Sequence, residues 1–73
     1  MFGLFSFGSH FYTLSATGLN FRTRRYNNRE EAAQEMYNVM SKKSLDLQEV
    51  YDDRHNKTYV CSNGVRFYIN REF

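Results

Sequence analysis

The side chains best suited to chemistry in this sequence are two aspartates, two histidines and one cysteine. Asp52, Asp53 and His55 are close together, whereas His10 lies far upstream and Cys61 lies downstream. These residue types bind transition metals, but their spacing matches no common metal-binding motif. Asp and Asn are also favoured in turns, where they form local backbone hydrogen bonds. We therefore predict a solvated turn at the aspartates and no bound metal.

Cys61 together with a histidine has the composition of a nucleophile and its base. However, Cys61 lies in the middle of a predicted strand, and no third residue that would orient the histidine is near it in sequence. The sequence also contains no glycine-rich phosphate-binding loop and no nucleophilic serine motif. We predict a packed thiol, in a protein that is not an enzyme and uses neither a cofactor nor a small-molecule substrate.

Length and composition indicate one small domain spanning residues 1–73. The chain has 73 residues, of which 41% are hydrophobic and 25% charged, so its core is close to the smallest that supports folding. A single cysteine cannot form an internal disulfide, which favours a reducing compartment, and we predict the cytoplasm. The net charge of +2 does not demand a polyanionic partner, and no apolar run approaches the roughly 20 residues of a membrane span.

The sequence predicts an apolar N-terminal arm over residues 1–9, which includes Phe5 and Phe7. The arm has no basic residue, and it breaks at Gly8 before its apolar run reaches the length of a secretory signal. We predict that it lies over an otherwise open apolar surface of the domain. Docking of the arm into a partner or a second protomer is the alternative.

The stretch from Asn28 to Lys43 carries the strongest secondary-structure signal, that of a single amphipathic helix. Asn28 and Glu31 have capping-box spacing, in which each side chain can satisfy a free backbone amide of the first turn. Acidic residues at the start and lysines at the end suit the helix dipole. The predicted apolar stripe, which we place in the core, comprises Ala32, Ala33, Met36, Tyr37, Val39 and Met40.

Two strands around a tight turn at Thr17 and Gly18 are predicted before the helix, over residues 10–26. Apolar alternation on both sides of this turn sets the expected register, because a slip of one residue would mix apolar and polar faces. The predicted cross-strand pairs are Ala16–Leu19, Leu14–Phe21 and Tyr12–Thr23.

The clearest turn signal after the helix is Asn63–Gly64, because both residues tolerate the positive φ of a two-residue hairpin turn. It belongs to a predicted meander of strands at 47–53, 57–62 and 65–71, whose first loop is centred on His55 and Asn56. The turn predicts the pairs Val60–Phe67 and Thr58–Ile69 on one face, and Tyr59–Tyr68 and Cys61–Arg66 on the other. The sequence thus predicts an α+β fold: an antiparallel sheet, in the order β-β-α-β-β-β, with a single amphipathic helix on one face.

One helix covers only one face of this sheet, and in the predicted register the second face still carries many aromatic residues. Such a face is normally more polar when it simply meets water. We therefore expect the second face to be covered by the arm, by another protein or by a second copy in a homodimer. The predicted protein interface comprises Phe5, Phe7, Phe11, Tyr59 and Tyr68.

An arginine-rich segment before the helix suggests an alternative partner, RNA or single-stranded nucleic acid. Guanidinium groups bind phosphates and stack on bases, and nearby aromatic rings add stacking platforms. Neighbouring glutamates favour instead a solvated charged face. The predicted nucleic-acid-binding residues under this alternative are Arg22, Arg24, Arg25, Tyr26, Arg29 and Arg66.

The short, aromatic-rich, proline-free chain, with one helix predicted against an antiparallel sheet, resembles many small phage-encoded accessory proteins that bind one host component. The resemblance is one of size, composition and predicted architecture, and includes no motif. It implies a protein-binding regulator or inhibitor. The apolar surplus of the second face independently favours protein binding over nucleic-acid binding.

Overall fold

The structure, a computed structural model, describes residues 10–72 and contains one helix and one antiparallel sheet in that range. The elements are β1 (Phe11–Thr17), β2 (Arg24–Tyr26), α1 (Arg29–Lys43), β3 (Leu47–Asp52), β4 (Asn56–Cys61) and β5 (Arg66–Glu72). The five strands lie in the spatial order β2-β1-β5-β4-β3, and α1 packs against β1, β2 and β5. The predicted α+β class and the β-β-α-β-β-β order are confirmed.

Helix α1 begins and ends as its sequence predicts. The Asn28 side chain accepts a hydrogen bond from the backbone N–H of Glu31 at 2.9 Å, which satisfies one free amide of the first turn. At the other end, Ser44 takes a left-handed conformation with φ of 56°, and its N–H donates to Ser41 O at 3.3 Å. Of the predicted stripe, Ala32, Met36 and Met40 are buried, whereas Tyr37 is 47% exposed.

The core lies between α1 and the central strands. Leu14, Met36, Phe67 and Ile69 have no exposed surface, so their burial supplies much of the hydrophobic stabilisation of this small domain. The complete buried cluster comprises Leu14, Ala32, Met36, Met40, Tyr59, Cys61, Val65, Phe67 and Ile69.

The predicted register of the first hairpin is wrong. Leu14 lies opposite Arg24 rather than Phe21, and Tyr12 opposite Tyr26, so residues 18–23 form a loop instead of continuing as a strand. Thr17 ends β1, and only Gly18 takes the positive φ that the proposed tight turn required of both residues. The apolar residues of the loop still reach the core, as Phe21 packs edge-to-face on Phe67 at 6.2 Å.

Gly18 holds the β1–β2 loop against the β4–β5 turn. Its φ is +86°, and a Cβ at this position would lie 2.6 Å from the carbonyl oxygen of Gly64. Gly64 also has a positive φ, +74°, but open space surrounds the position of its missing Cβ. Alanine at position 18 would therefore introduce both backbone strain and a steric clash, whereas alanine at position 64 would introduce backbone strain alone.

Gly18→Ala is expected to lower the free energy of unfolding by roughly 2–4 kcal/mol, because strain and a backbone clash add. Gly64→Ala is the matched control and should cost only about 1 kcal/mol, the cost of a positive φ. Urea denaturation followed by circular dichroism measures both. Equal losses in the two variants would show that the loop does not pack against the turn as described.

The Asn63–Gly64 turn forms as predicted, but it is preceded by an irregularity that the sequence does not reveal. Asn63 and Gly64 have φ of 62° and 74°, and the Val65 N–H donates to Ser62 O at 3.3 Å. However, the Cys61 N–H also donates to Val65, at 2.8 Å to its carbonyl oxygen. Cys61 and Ser62 together oppose Val65, which is the arrangement of a β-bulge.

This bulge shifts β4 by one residue against β5, so the predicted pairing is wrong. Tyr59 lies opposite Phe67, and Thr58 lies opposite Tyr68. Because side chains alternate between faces, a one-residue shift moves every side chain of β4 to the other face. Tyr59 and Cys61, predicted on the second face, lie in the core instead, at 5% and 1% exposure.

The β3–β4 loop is centred on Arg54 and His55, not on His55 and Asn56. The Asp53 N–H donates to Asn56 O at 2.8 Å, and Tyr51 lies opposite Thr58. The observed pairing of β3 with β4 is shifted by two residues from the predicted one. Because side chains alternate between the two faces, a shift by an even number of residues leaves each side chain on the same face. Tyr51 therefore shares a face with Thr58, as expected.

Candidate interaction surfaces

The side of the sheet opposite α1, here called the open face, contains three rows of residues that run across the strands from β3 to β1. The middle row contains an aromatic residue on each side of a small polar one, and the flanking rows are mostly polar. From β3 to β1 the rows are Asp53–Asn56–Asn70–Thr13, Tyr51–Thr58–Tyr68–Ser15 and Glu49–Val60–Arg66–Thr17. The open face is thus more polar than the sequence predicted, because the bulge places Thr58 there and Tyr59 in the core.

The predicted protein-interface residues do not form one surface. Phe5 and Phe7 lie outside the described residues. Tyr59 is in the core, while Phe11 and Tyr68 are both partly exposed on the open face. Ser15, the residue of β1 opposite Tyr68, is four residues from Phe11, which corresponds to about 14 Å along the strand.

Phe11 is covered by an arginine from the adjacent strand. The guanidinium carbon of Arg25 lies 3.7 Å from the centre of the Phe11 ring, a close cation–π contact. Tyr68 extends toward β1, where its hydroxyl is 3.4 Å from the Thr17 hydroxyl. Each aromatic residue of the open face that the sequence singled out therefore has a partner within the chain.

The predicted nucleic-acid-binding residues are divided between the two sides of the sheet. Arg24 lies on the helix side, 3.3 Å from Glu35, whereas Arg25 lies on the open face. Arg29 is partly buried with its guanidinium carbon 5.4 Å from the centre of the Tyr12 ring. The remaining members are Arg22 in the β1–β2 loop, Tyr26 partly buried against the core, and Arg66 exposed on the open face.

Cys61 lies at the end of the sheet opposite to the two histidines. Cys61 is buried at the end of β4, and burial raises the pKa of its thiol, which makes it a weaker nucleophile at neutral pH. His55 lies in the loop at the opposite end of β4, and His10 packs edge-on against Tyr12 with ring centres 6.1 Å apart. Within residues 10–72, no three His, Cys, Asp or Glu side chains are grouped as a metal site would require.

Strand β3 is the surface that sequence reasoning missed. All six of its residues are exposed, and it lies at one edge of the sheet. Of the four large hydrophobic residues exposed in the described part of the chain, three are in β3: Leu47 at 40%, Val50 at 43% and Tyr51 at 55%. The fourth is Tyr37 on α1.

The helix does not cover β3, which explains this exposure. Val50 pairs with Tyr59 and Leu47 with Cys61, so both lie on the helix side, yet α1 packs over the other half of the sheet. The sequence predicted a strand at residues 47–53, but only the strand order shows that it is an edge. The opposite edge, β2, is only three residues long and contains two arginines, which are features that discourage strand pairing.

The hydrogen-bonding groups of β3 alternate in direction. Because Asp53 and Asn56 form a hydrogen-bonded pair, Tyr51 and Glu49 also direct their N–H and C=O groups toward β4. Val50 and Asp52 then direct theirs outward, away from β4. A register irregularity between Leu47 and Glu49 interrupts this pattern at one end only.

Comparison with known proteins finds no match among protein families, curated proteins or solved structures. In the described part of the chain, no helix has both the length and the apolar character needed to span a membrane.

Proposed function

We propose that this protein is a small, non-enzymatic, protein-binding regulator that acts through β3 and self-associates by pairing β3 with the β3 of a second copy. The observation that carries the proposal is the exposure of all six β3 residues at a sheet edge. Such an edge presents unpaired backbone groups to which another strand can add. The contact surface is thus the strand edge and its exposed side chains.

The sequence of β3 fits an antiparallel copy of itself in one register. A two-fold axis normal to the sheet and passing through Val50 brings Val50 opposite Val50 of the second copy. Glu49 then lies opposite Tyr51, whose hydroxyl already donates to Glu49 Oε1 at 2.8 Å within the chain. Asp52 lies toward the irregular end of the second copy, at Gln48, so no two carboxylates face each other.

Neighbouring registers are less favourable, because like charges directly opposite each other destabilise a strand pair. An axis through Glu49 places the two copies of Glu49 against each other. An axis through Tyr51 places Glu49 opposite Asp53. The charge pattern of the strand therefore favours the pairing centred on Val50.

Protein binding is better supported than nucleic-acid binding. The basic residues proposed for RNA are on opposite sides of the sheet, and Arg24 is paired with Glu35. A continuous basic groove is what non-specific nucleic-acid binding needs. A regulator or inhibitor that covers the surface of a host component requires only an accessible strand edge.

The unpaired buried thiol of Cys61 is consistent with a cytoplasmic site of action.

Val50→Glu is expected to abolish self-association, because it places two carboxylates directly opposite each other at the centre of the pair. Gln34→Glu, at an exposed position of α1, is the matched control and should behave as the wild type. Sedimentation velocity over a wide range of protein concentration measures the effect. A wild-type protein that remains monomeric throughout, or a Val50→Glu variant that sediments as the wild type does, would overturn the proposal.

A further inference from the structure

We propose that Tyr51, Thr58 and Tyr68 on the open face form a slot that binds a guanidinium group, such as the side chain of an arginine in a partner protein. The slot is a depression with a volume of about 620 Å³. Tyr51 belongs to β3, but the slot lies on the β4 side of Tyr51, over the face of the sheet, so its use does not depend on strand pairing. Its lining residues are Tyr51, Asp52, Asp53, Asn56, Thr58, Tyr68 and Asn70.

The strand register creates the slot. Tyr51 and Tyr68 both lie opposite Thr58, one from each neighbouring strand, so a small side chain separates two rings. Adjacent strands are about 4.8 Å apart, which places the two tyrosine backbones roughly 10 Å from each other. This backbone spacing leaves room for a planar group above Thr58, between the two tyrosine side chains.

Both tyrosine hydroxyls are held away from the floor of the slot. The Tyr51 hydroxyl donates to Glu49 at 2.8 Å, and this hydrogen bond, together with the Glu49 charge, raises the pKa of Tyr51. The Tyr68 hydroxyl lies 3.4 Å from the Thr17 hydroxyl, in the direction of β1. The rings are thus positioned by contacts outside the slot and leave Thr58 accessible.

One end of the slot offers hydrogen-bond acceptors. Asp53 uses Oδ1 to accept from the Arg54 N–H at 2.7 Å, and its second oxygen has no hydrogen-bond partner among the described residues. The side-chain amides of Asn56 and Asn70, which pair across β4 and β5, likewise make no hydrogen bond within residues 10–72. These groups are positioned to receive a donor that enters between the rings.

The charge of the lining selects a cation. Asp53 contributes a carboxylate on the open face, and no lysine or arginine of the described chain lines the depression. The Asp52 side chain alternates to the helix side, where it lies 3.7 Å from Lys57, so Asp53 is the main charge of the slot. Aromatic faces attract cations, and a guanidinium group combines a planar, stackable shape with several donors. A nucleotide would bring its phosphates toward the carboxylates, so the lining disfavours it.

The test titrates the isotopically labelled full chain with N-acetyl-arginine amide and follows backbone amide resonances by NMR. N-acetyl-citrulline amide is the matched control probe, because it has the same shape without the charge. We expect saturable shifts at Thr58 and Asn70 with the arginine probe only. Equal binding of the citrulline probe, preferential binding of a nucleoside such as uridine, or no saturable shift would each overturn the proposal.

Variants locate the binding. Tyr68→Leu is expected to weaken binding of the arginine probe roughly tenfold, because it removes one aromatic wall from a partly exposed position. Asp53→Asn should remove the preference for arginine over citrulline. Tyr37→Leu, at an exposed tyrosine on α1, should bind the arginine probe as the wild type does. If any one of these three variants behaves otherwise, the assignment of the slot is overturned. Val50→Glu should also retain binding, so failure of strand pairing and failure of the slot are distinguishable.

Discussion

Tyr59→Ala is expected to lower the free energy of unfolding by roughly 3–5 kcal/mol, because it removes a large ring from the core and leaves a cavity. Tyr59 is only 5% exposed, and burial raises the pKa of its hydroxyl. A domain of this length has a total stability of about 4–11 kcal/mol, so the variant should lose a large fraction of its stability. Urea denaturation followed by circular dichroism measures the loss.

Tyr68→Ala is the matched comparison, since it removes the same side chain from the strand paired with β4. Tyr68 lies on the open face and is partly exposed, so we expect a loss of about 1 kcal/mol or less. In the register that the sequence alone favoured, the two tyrosines face each other and would cost similar amounts. Similar losses in the two variants would therefore contradict the bulge at Cys61 and Ser62.

The helix and the order of elements could be predicted from sequence because their signals are local. Asn28 and Glu31 are three residues apart, and the apolar stripe of α1 repeats within a single element. The Asn63–Gly64 turn is local in the same sense, since two adjacent residues of the right type determine its positive φ values. The helix, its Asn28 cap and the turn are confirmed, whereas the stripe is confirmed at Ala32, Met36 and Met40 but wrong at Tyr37, which is exposed.

Strand register could not be predicted because it depends on contacts between distant residues. The extra residue at Cys61–Ser62 is stabilised by the Ser62 N–H, which donates to Asp46 O at 2.9 Å on the far side of β4. Similarly, the loop after β1 is fixed by packing of Gly18 on Gly64. Neither contact leaves a pattern in the neighbouring sequence.

These register differences also relocated the candidate site. The apolar surplus predicted on the second face included Tyr59 and Cys61, and both lie in the core. The exposed residues of β3 were visible as a strand pattern, but their exposure follows from the strand order and from the position of α1. The arm at residues 1–9, including Phe5 and Phe7, lies outside the described residues, so its predicted role is untested.

Val50→Glu and Val50→Lys should each abolish self-association, and mixing the two variants should restore it. Val50→Glu and Val50→Lys should each be monomeric, because each places two like charges directly opposite at the centre of the strand pair. Each homodimer should lose at least about tenfold in affinity, and low salt should increase the effect because exposed charges are screened by ions. An equimolar mixture should form a heterodimer, in which the introduced glutamate of one copy lies opposite the introduced lysine of the other.

This mixing experiment depends on residue 50 facing itself, which is specific to the proposed register. Association through the N-terminal arm, the open face or another part of the chain would not respond to opposite charges at position 50. The control mixture combines Gln34→Glu with Gln34→Lys, which should sediment as the wild type does.

The most direct test of the proposal is the sedimentation velocity of the Val50→Glu and Val50→Lys proteins, alone and mixed, at low salt. The proposal predicts a monomer for each variant alone and a dimer for the mixture. A mixture that remains monomeric under conditions in which the wild type dimerises, or single variants that dimerise unaided, would contradict pairing through β3.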